Sequence, residues 1–156
     1  AVLEAKALQT IKADPLPKID AQELPEIISF DSEHFGGNRR KLLESIICTQ
    51  GNASFYICEN RSVVGYVAAT IYESMAWLGP LVCTSSRYDI ALPLIKAALS
   101  EMAGKTVYAV LPKTEVALLE AFLGLGFRED FSVSRMFLGK APAKNCIYMA
   151  ESLERG

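Results

Sequence analysis

The sequence predicts an α+β fold in which about four helices flank one mixed, mostly antiparallel sheet of six to seven strands. Three strand-like runs follow one another in the middle of the chain with only short turns between them, which is typical of an antiparallel meander. Later in the chain, strands alternate with helices, so some strands need crossover connections and must run parallel. Apolar residues make up 51% of the chain and charged residues 22%, as in a packed globular domain.

The first third of the chain predicts one strand followed by two helices. Residues 3–12 have a weak strand pattern that ends at a stretch with two prolines, and residues 21–29 are compatible with a short helix. Residues 39–49 predict a clearer helix, because their apolar residues recur at the spacing of one helical face.

The meander consists of three runs rich in β-branched and aromatic residues, at residues 54–58, 63–72 and 75–83. The third run contains Gly79-Pro80. Because proline has no N–H to donate to a sheet ladder, this pair predicts a bulge or a point where the strand splays.

The remaining elements alternate between helix and strand. Ser86 and Asp89 have the spacing of a capping box, which opens a helix that Gly104 ends. Residues 106–111 predict a strand buried on both faces. A helix at residues 116–123 and a strand at residues 127–138 follow, and residues 141–156 are compatible with either type.

Composition also limits the classes of function. The net charge of −2 argues against a nucleic-acid surface, and no apolar run approaches the roughly 18 residues that a membrane span needs. The four cysteines include no CxxC pair and there is one histidine, so we expect no metal site. We also expect the thiols to be free and the protein to be cytoplasmic. We expect one domain over residues 1–156. Since the sequence does not begin with methionine, a domain cut from a longer chain is the alternative.

Short motifs, in their order along the chain, resemble those of the GNAT acyltransferases (N-acetyltransferases). Gly65, in the run SVVGYV, is similar to the segment that opens the family's third strand, and Gly126-Phe127 match the end of a family helix motif. Further motifs resemble those of a subgroup of the family in which this domain follows a second GNAT domain. They are Asp31, Phe35, Gly36 and Arg39 of a D-x-x-x-F-G-x-x-R signature, LGPL at residues 78–81, and Arg135-Met136.

The resemblance implies a GNAT fold with strands 4 and 5 splayed apart, and acetyl-coenzyme A (acetyl-CoA) as co-substrate. In that family the opened backbone of the fourth strand pairs with the pantetheine arm. The pyrophosphate sits on N–H groups at the start of the next helix, where the helix dipole attracts an anion. The implied cofactor-binding residues are Leu81, Val82, Cys83, Ser86, Arg87, Tyr88, Ala91 and Phe122.

The pyrophosphate loop departs from the family pattern Q/R-x-x-G-x-G/A. This sequence reads SRYDIA there, so Ser86 replaces the Gln or Arg and Asp89 replaces a glycine. A carboxylate that faces a pyrophosphate is repulsive, unless Asp89 turns inward to cap the helix. Arg87 could compensate by contacting a phosphate. Whether the loop binds coenzyme A stays open at this point.

The implied reaction is attack of a neutral amine on a thioester, which needs an oxyanion donor, a base and an acid. The backbone N–H of Val82 or Cys83 is the candidate oxyanion donor. The fourth strand offers no Asp, Glu or His over residues 76–82. Phe122, at the position of the family's frequent tyrosine acid, has no hydroxyl.

Two side chains remain as catalytic candidates. His34 could act as a base beside Asp31 or Glu33, with an ordinary packed histidine as the alternative. Tyr148 is the other candidate, against a role in the core.

We therefore expect an acyl-CoA-dependent N-acyltransferase that acts on a small-molecule or peptide amine, with no nucleic-acid or membrane partner. One alternative is a catalytically degenerate GNAT-like domain that binds a ligand or dimerises, which the altered loop and the missing tyrosine favour. Another is one half of a two-domain acetyltransferase whose other GNAT domain carries the catalysis.

Overall fold

The computed structural model of the protein describes residues 1–134 and 145–153, which form seven strands and four helices. The strands are β1 (Val2–Ala5), β2 (Ala53–Glu59), β3 (Ser62–Ile71), β4 (Met75–Thr84), β5 (Thr106–Val110), β6 (Arg128–Phe131) and β7 (Cys146–Met149). The helices are α1 (Leu24–Phe35), α2 (Arg40–Ile47), α3 (Tyr88–Ser100) and α4 (Val116–Gly124). The predicted order of elements is confirmed, and the ambiguous tail contains a strand.

The strands form one sheet in the order β2-β3-β4-β5-β1-β6, and β7 pairs with β4 outside this path. β4 and β5 run parallel, whereas the other paired strands are antiparallel. The connection from β4 to β5 passes through α3, as a parallel pair requires. The prediction of a mixed, mostly antiparallel sheet is therefore confirmed.

Side chains of the central strands alternate between two apolar clusters on opposite faces of the sheet. Leu81 and Cys83 of β4 belong to the larger cluster with Leu94 of α3, whereas Val82 belongs to a smaller cluster with Ile27 of α1. α3 therefore covers one face of the sheet, and α1 and α2 cover the other.

Gly65 lets α3 approach β3 closely. A Cβ atom at this position would lie 2.8 Å from both the Cys83 sulfur and the Cγ2 of Ile90, inside van der Waals contact. The glycine that resembles the family's strand motif thus has a packing reason to be there.

α1 begins later and extends further than the helix expected at residues 21–29. It runs to Phe35 and ends at Gly36, which has φ +81° and donates its N–H to the carbonyl of Ser32 at 3.2 Å. Gly36 thus has the left-handed conformation that commonly ends a helix and that glycine adopts without strain.

Three strand predictions need correction. The strand predicted at residues 3–12 is shorter, because β1 ends at Ala5 and the chain turns at Ala7, which has φ +47°. β5 is not buried on both faces, because buried Val107 and Ala109 alternate with half-buried neighbours. β6 ends at Phe131, and residues 132–134 belong to no strand. The rest of the strand predicted at residues 127–138, with Arg135-Met136, lies outside the described residues. The longest helix, α3, has 13 residues, and none of the helices in the described ranges could cross a lipid bilayer.

Candidate functional site

β4 carries a bulge at Gly79-Pro80. Val67 of β3 pairs with Leu81 and Ala69 with Leu78, so two residues of β4 oppose the single residue Ala68. Gly79 has φ +147°, a conformation that side-chain-bearing residues rarely adopt. The bulge predicted from the Gly-Pro pair is confirmed.

β4 and β5 part at this bulge. Their parallel pairing covers Met75 to Leu78 of β4 and stops there. Beyond the bulge, Leu81 to Thr84 pair with β7, in a register that places Tyr148 opposite Val82. The strands therefore diverge as predicted, but the edge of β4 that was expected to be free is paired with β7.

The loop between β4 and α3 positions the predicted pyrophosphate-binding residues. Ser86 has φ +62°, in the left-handed region. Arg87 is the N-cap residue of α3 and makes no side-chain cap, so the capping box expected from Ser86 and Asp89 is wrong. The physical reason is that the helix begins one residue later than the box requires, so that Ser86 lies before the N-cap position, and the Asp89 carboxylate accepts from Nη2 of Arg87 at 2.7 Å.

Arg87 is shared by two carboxylates. Its guanidinium donates to Asp89 and also to both carboxylate oxygens of Glu59, at 2.9 and 2.7 Å. Hydrogen bonding to Arg87 lowers the pKa of Glu59 and of Asp89 and raises that of Arg87. The three side chains together carry one net negative charge, so in this arrangement Arg87 is not available to an anion.

The other predicted cofactor-binding residues lie at the start of α3 and in α4. Tyr88 donates its hydroxyl to a carboxylate oxygen of Glu115 at 2.9 Å, which joins the starts of α3 and α4. Ala91 and Phe122 have no exposed surface, and the ring of Phe122 packs edge-on against Phe127. The predicted loop residues are therefore neighbours, whereas Phe122 lies in the core.

His34 is held by its own helix. Its Nδ1 lies 3.0 Å from the carbonyl oxygen of Phe30, and its ring stacks on the Phe30 ring with centroids 4.2 Å apart. Because a carbonyl only accepts hydrogen bonds, Nδ1 carries the proton of that contact. Asp31, one of the two carboxylates proposed as its partner, is bonded to Arg39.

Asp31, Arg39 and Tyr66 form a buried polar cluster. Arg39 donates from Nε and Nη2 to the two carboxylate oxygens of Asp31, and the Tyr66 hydroxyl donates to Asp31 at 2.6 Å. The Arg39 guanidinium also stacks on the ring of Phe35, 3.5 Å from its centroid. Burial raises the pKa of Tyr66 well above its ordinary value, so its proton stays in place. Asp31, Phe35 and Arg39 of the signature thus fix the relative positions of α1 and α2.

Cys83 and Tyr148 lie on the two paired strands. The Cys83 thiol is fully buried, and burial raises its pKa far above the usual range, so it has no thiolate character. Tyr148 is half-buried, with its ring edge-on to that of Phe35 at 5.8 Å. It also lines a cavity of about 270 Å³ that includes Val110 and Ala150.

Sequence reasoning missed Glu59, Glu115 and Tyr66. Glu59 lies 28 residues before Arg87, and Tyr66 lies 35 residues after Asp31, so no local spacing connects either pair. The D-x-x-x-F-G-x-x-R signature contains one acidic and one basic residue, so the sequence could have indicated the Asp31–Arg39 ion pair but none of the other contacts.

The chain matches the family described as acetyltransferase (GNAT) domain over residues 27–148. It is also 30% identical over 146 residues to holothin acyltransferase from Pseudoalteromonas sp. (strain SANK 73390). That match covers 92% of this chain and 49% of the relative, so the chain spans about half the length of the curated relative it matches.

Solved structures share the fold. One is AAC(6')-Iy in complex with the bisubstrate analog CoA-S-monomethyl-acetylneamine, with TM-score 0.60, 16% identity, and coverage of 82% of this chain and 98% of that chain. Another is an acetyltransferase from the GNAT family of Colwellia psychrerythraea, with TM-score 0.60, 14% identity, and coverage of 81% and 51%. The match to the family model over residues 27–148, which is more than half of the chain, shows that this chain belongs to the GNAT acetyltransferase family.

Proposed function

We propose that this domain transfers an acyl group, most simply acetyl, from acyl-CoA to a primary amine by direct attack of the amine on the thioester. The observation that carries the proposal is the divergence of β4 from β5 after Leu78, at the Gly79-Pro80 bulge, in a chain of this family. A bound CoA bisubstrate analog in the structurally similar AAC(6')-Iy supports acyl-CoA as the donor.

The residues proposed to hold the donor are Leu81 to Cys83 of β4 and the loop that begins with Ser86. In the described conformation they do not fit it, because β7 occupies the edge of β4 and two carboxylates hold Arg87. A strand edge has one set of N–H and C=O groups and can pair with one partner at a time. The proposed activity therefore requires β7 to leave β4.

The acceptor is proposed to be a weakly basic amine. No Asp, Glu or His lies on β4, so no side chain of this strand can serve as a strong base. An amine with pKa near 8 is neutral in roughly a fifth of molecules at pH 7.4, against about one in a thousand for a lysine side chain. Positioning alone could then suffice for attack.

A catalytically degenerate GNAT domain is the second candidate. The paired edge of β4 and the net negative charge around Arg87 favour it. Because the chain spans about half of holothin acyltransferase, catalysis by another half of a larger protein is a related alternative.

Thermal unfolding with acetyl-CoA separates the candidates. We expect saturable stabilisation, of about 2.7 kcal/mol at a ligand concentration 100 times the dissociation constant. Release of free CoA thiol is then measured across a panel of amines that differ in pKa. No stabilisation at millimolar acetyl-CoA would favour the degenerate domain.

Arg87→Glu tests the loop. It places a third carboxylate beside Glu59 and Asp89, so acetyl-CoA binding should weaken at least tenfold while the fold persists. The matched control is Arg40→Glu, which makes the same charge change on α2, on the opposite face of the sheet. An equal effect of both variants would remove Arg87 from the site.

A further inference from the structure

β4 changes its neighbour halfway along its length. Up to Leu78 it pairs with β5, and from Leu81 it pairs with β7. The residue after β7, Ala150, donates its N–H to the carbonyl of Val110, just at the end of β5, at 2.9 Å. The segment from Cys146 to Ala150 therefore lies in the gap between β4 and β5.

The gap is shaped for this segment. A Cβ atom on Gly79 would overlap the carbonyl oxygen of Ala150, so only glycine allows the two backbones to approach so closely. Ile147 and Met149 are buried in the larger apolar cluster, whereas Tyr148 points to the other face and contacts Phe35. β7 is thus anchored on both faces of the sheet, and its position is specific.

The attachment of β7 is nevertheless short. Its ladder with β4 is four residues long, and its contact with the end of β5 is a single bridge between Val110 and Ala150. By comparison, β3 and β4 pair from Gly65 to Ile71 along the opposite edge of β4. A four-residue ladder has fewer hydrogen bonds to break than the β3–β4 ladder, so local opening of β7 costs less free energy than separation of β3 from β4.

We propose that β7 is a displaceable strand that controls the acyl-CoA site, and that the structure is its closed form. This inference rests on the proposed function. In the closed form, the backbone of Leu81 to Thr84 satisfies its hydrogen bonds with β7. Opening exposes those groups to the extended, amide-containing arm of the thioester, whose own amides replace the ladder. Ligand binding and β7 pairing are then mutually exclusive.

Native cysteines on both strands allow a direct test. Cys83 lies opposite Ile147, and Cys146 lies opposite Thr84, so Ile147→Cys and Thr84→Cys each create a facing pair of thiols. Neighbouring rungs of an antiparallel ladder alternate between hydrogen-bonded and non-hydrogen-bonded pairs. One of the two variants therefore places its thiols on a non-hydrogen-bonded pair, whose side chains are closer together, as a disulfide requires. Both are made, and monomers of the variant that oxidises are isolated.

Acetyl-CoA binding is measured by calorimetry on the oxidised and the reduced form of the same variant. The oxidised form should bind at least tenfold more weakly than the reduced form. A control variant, Val63→Cys, faces Cys58 in the β2–β3 ladder, and its oxidation should leave the affinity unchanged. Hydrogen exchange adds a second readout, since acetyl-CoA should speed exchange of the Ile147 and Met149 amides in the unmodified protein.

The outcomes separate the two proposals. Equal affinity of the oxidised and reduced forms would overturn the displaceable strand and leave the proposed function standing. Absence of acetyl-CoA binding in both forms, in folded protein, would overturn both.

Discussion

The carboxylate of Asp31 and the guanidinium of Arg39 form a two-point ion pair that links α1 to the start of α2. The two side chains are only 1% and 8% exposed, respectively. Removing one partner of such a pair leaves an unpaired buried charge, which costs about 3–5 kcal/mol. We expect Arg39→Ala to lower the free energy of unfolding by that amount, measured by urea denaturation.

The neighbouring Arg40 gives a matched control for this prediction. It pairs with Glu44 one helical turn away, with 66% of its side chain exposed. Exposed pairs of this kind contribute about 0.3–0.5 kcal/mol. If Arg39→Ala and Arg40→Ala unfolded at the same urea concentration, the buried pair would not be what holds α1 and α2 together.

Gly65→Ala should destabilise the domain by about 1–3 kcal/mol through overpacking. The added methyl group would lie 2.8 Å from both the Cys83 sulfur and the Cγ2 of Ile90, so these side chains or the elements that carry them must shift. Gly124→Ala is the control, because nothing lies within 4 Å of its added methyl group at the end of α4. Thermal denaturation of the two variants measures the difference, and a Gly65 variant as stable as the Gly124 variant would contradict the close packing of α3 on β3.

The carboxylate of Glu59 should report its bond with Arg87 in a pH titration. Hydrogen bonding to Arg87 lowers the pKa of Glu59 in the folded protein. A carboxyl with a lowered folded pKa contributes stability above its unfolded pKa of about 4.3, and that contribution is lost as the pH falls through the folded pKa. In Arg87→Gln, the midpoint for Glu59 in a carboxyl NMR titration should therefore rise. An unchanged Glu59 midpoint would show that the pair does not form in solution.

The four cysteines should divide into two classes toward iodoacetamide. Cys48 and Cys58 are exposed, whereas Cys83 and Cys146 are buried. We expect two alkylations in the native protein and four after unfolding, counted by mass spectrometry. Partial burial, followed by the charges of Glu26 and Glu23, raises the pKa of Cys58, so near neutral pH less of this thiol is ionised and it should react more slowly than an unperturbed one. Rapid native labelling of Cys83 would contradict its burial in the apolar cluster beneath α3.

His34→Gln should leave acyl transfer and its pH dependence unchanged. The ring of His34 bonds to the Phe30 carbonyl and stacks on the Phe30 ring, which are contacts of a packed residue. The measurement is the rate of CoA release from pH 6 to 9 in both proteins. Loss of an ionisation in the variant profile would instead return His34 to the role of base.

Local sequence was sufficient for most of the fold. The bulge at Gly79-Pro80 follows from the chemistry of two adjacent residues, and the helix and strand order follows from periodicity. The position of β7 did not follow, because pairing between Val82 and Tyr148 joins distant segments that carry no mutual signal. Asp89 was likewise interpreted as a cap because its true partner, Arg87, is oriented by Glu59 from another strand. The prediction of the site's geometry failed wherever that geometry depended on contacts between distant parts of the chain.

The half of β4 that extends past β5 has a consequence for self-association. Leu81 and Val82 are fully buried, and among the described strands it is β7 that covers this apolar edge. An uncovered apolar edge is a template for strands of other molecules, and it can seed amyloid-like assembly. A chain shortened before Cys146 should therefore aggregate into intermolecular β-sheet, so the strand proposed to exclude a ligand also guards against misassembly.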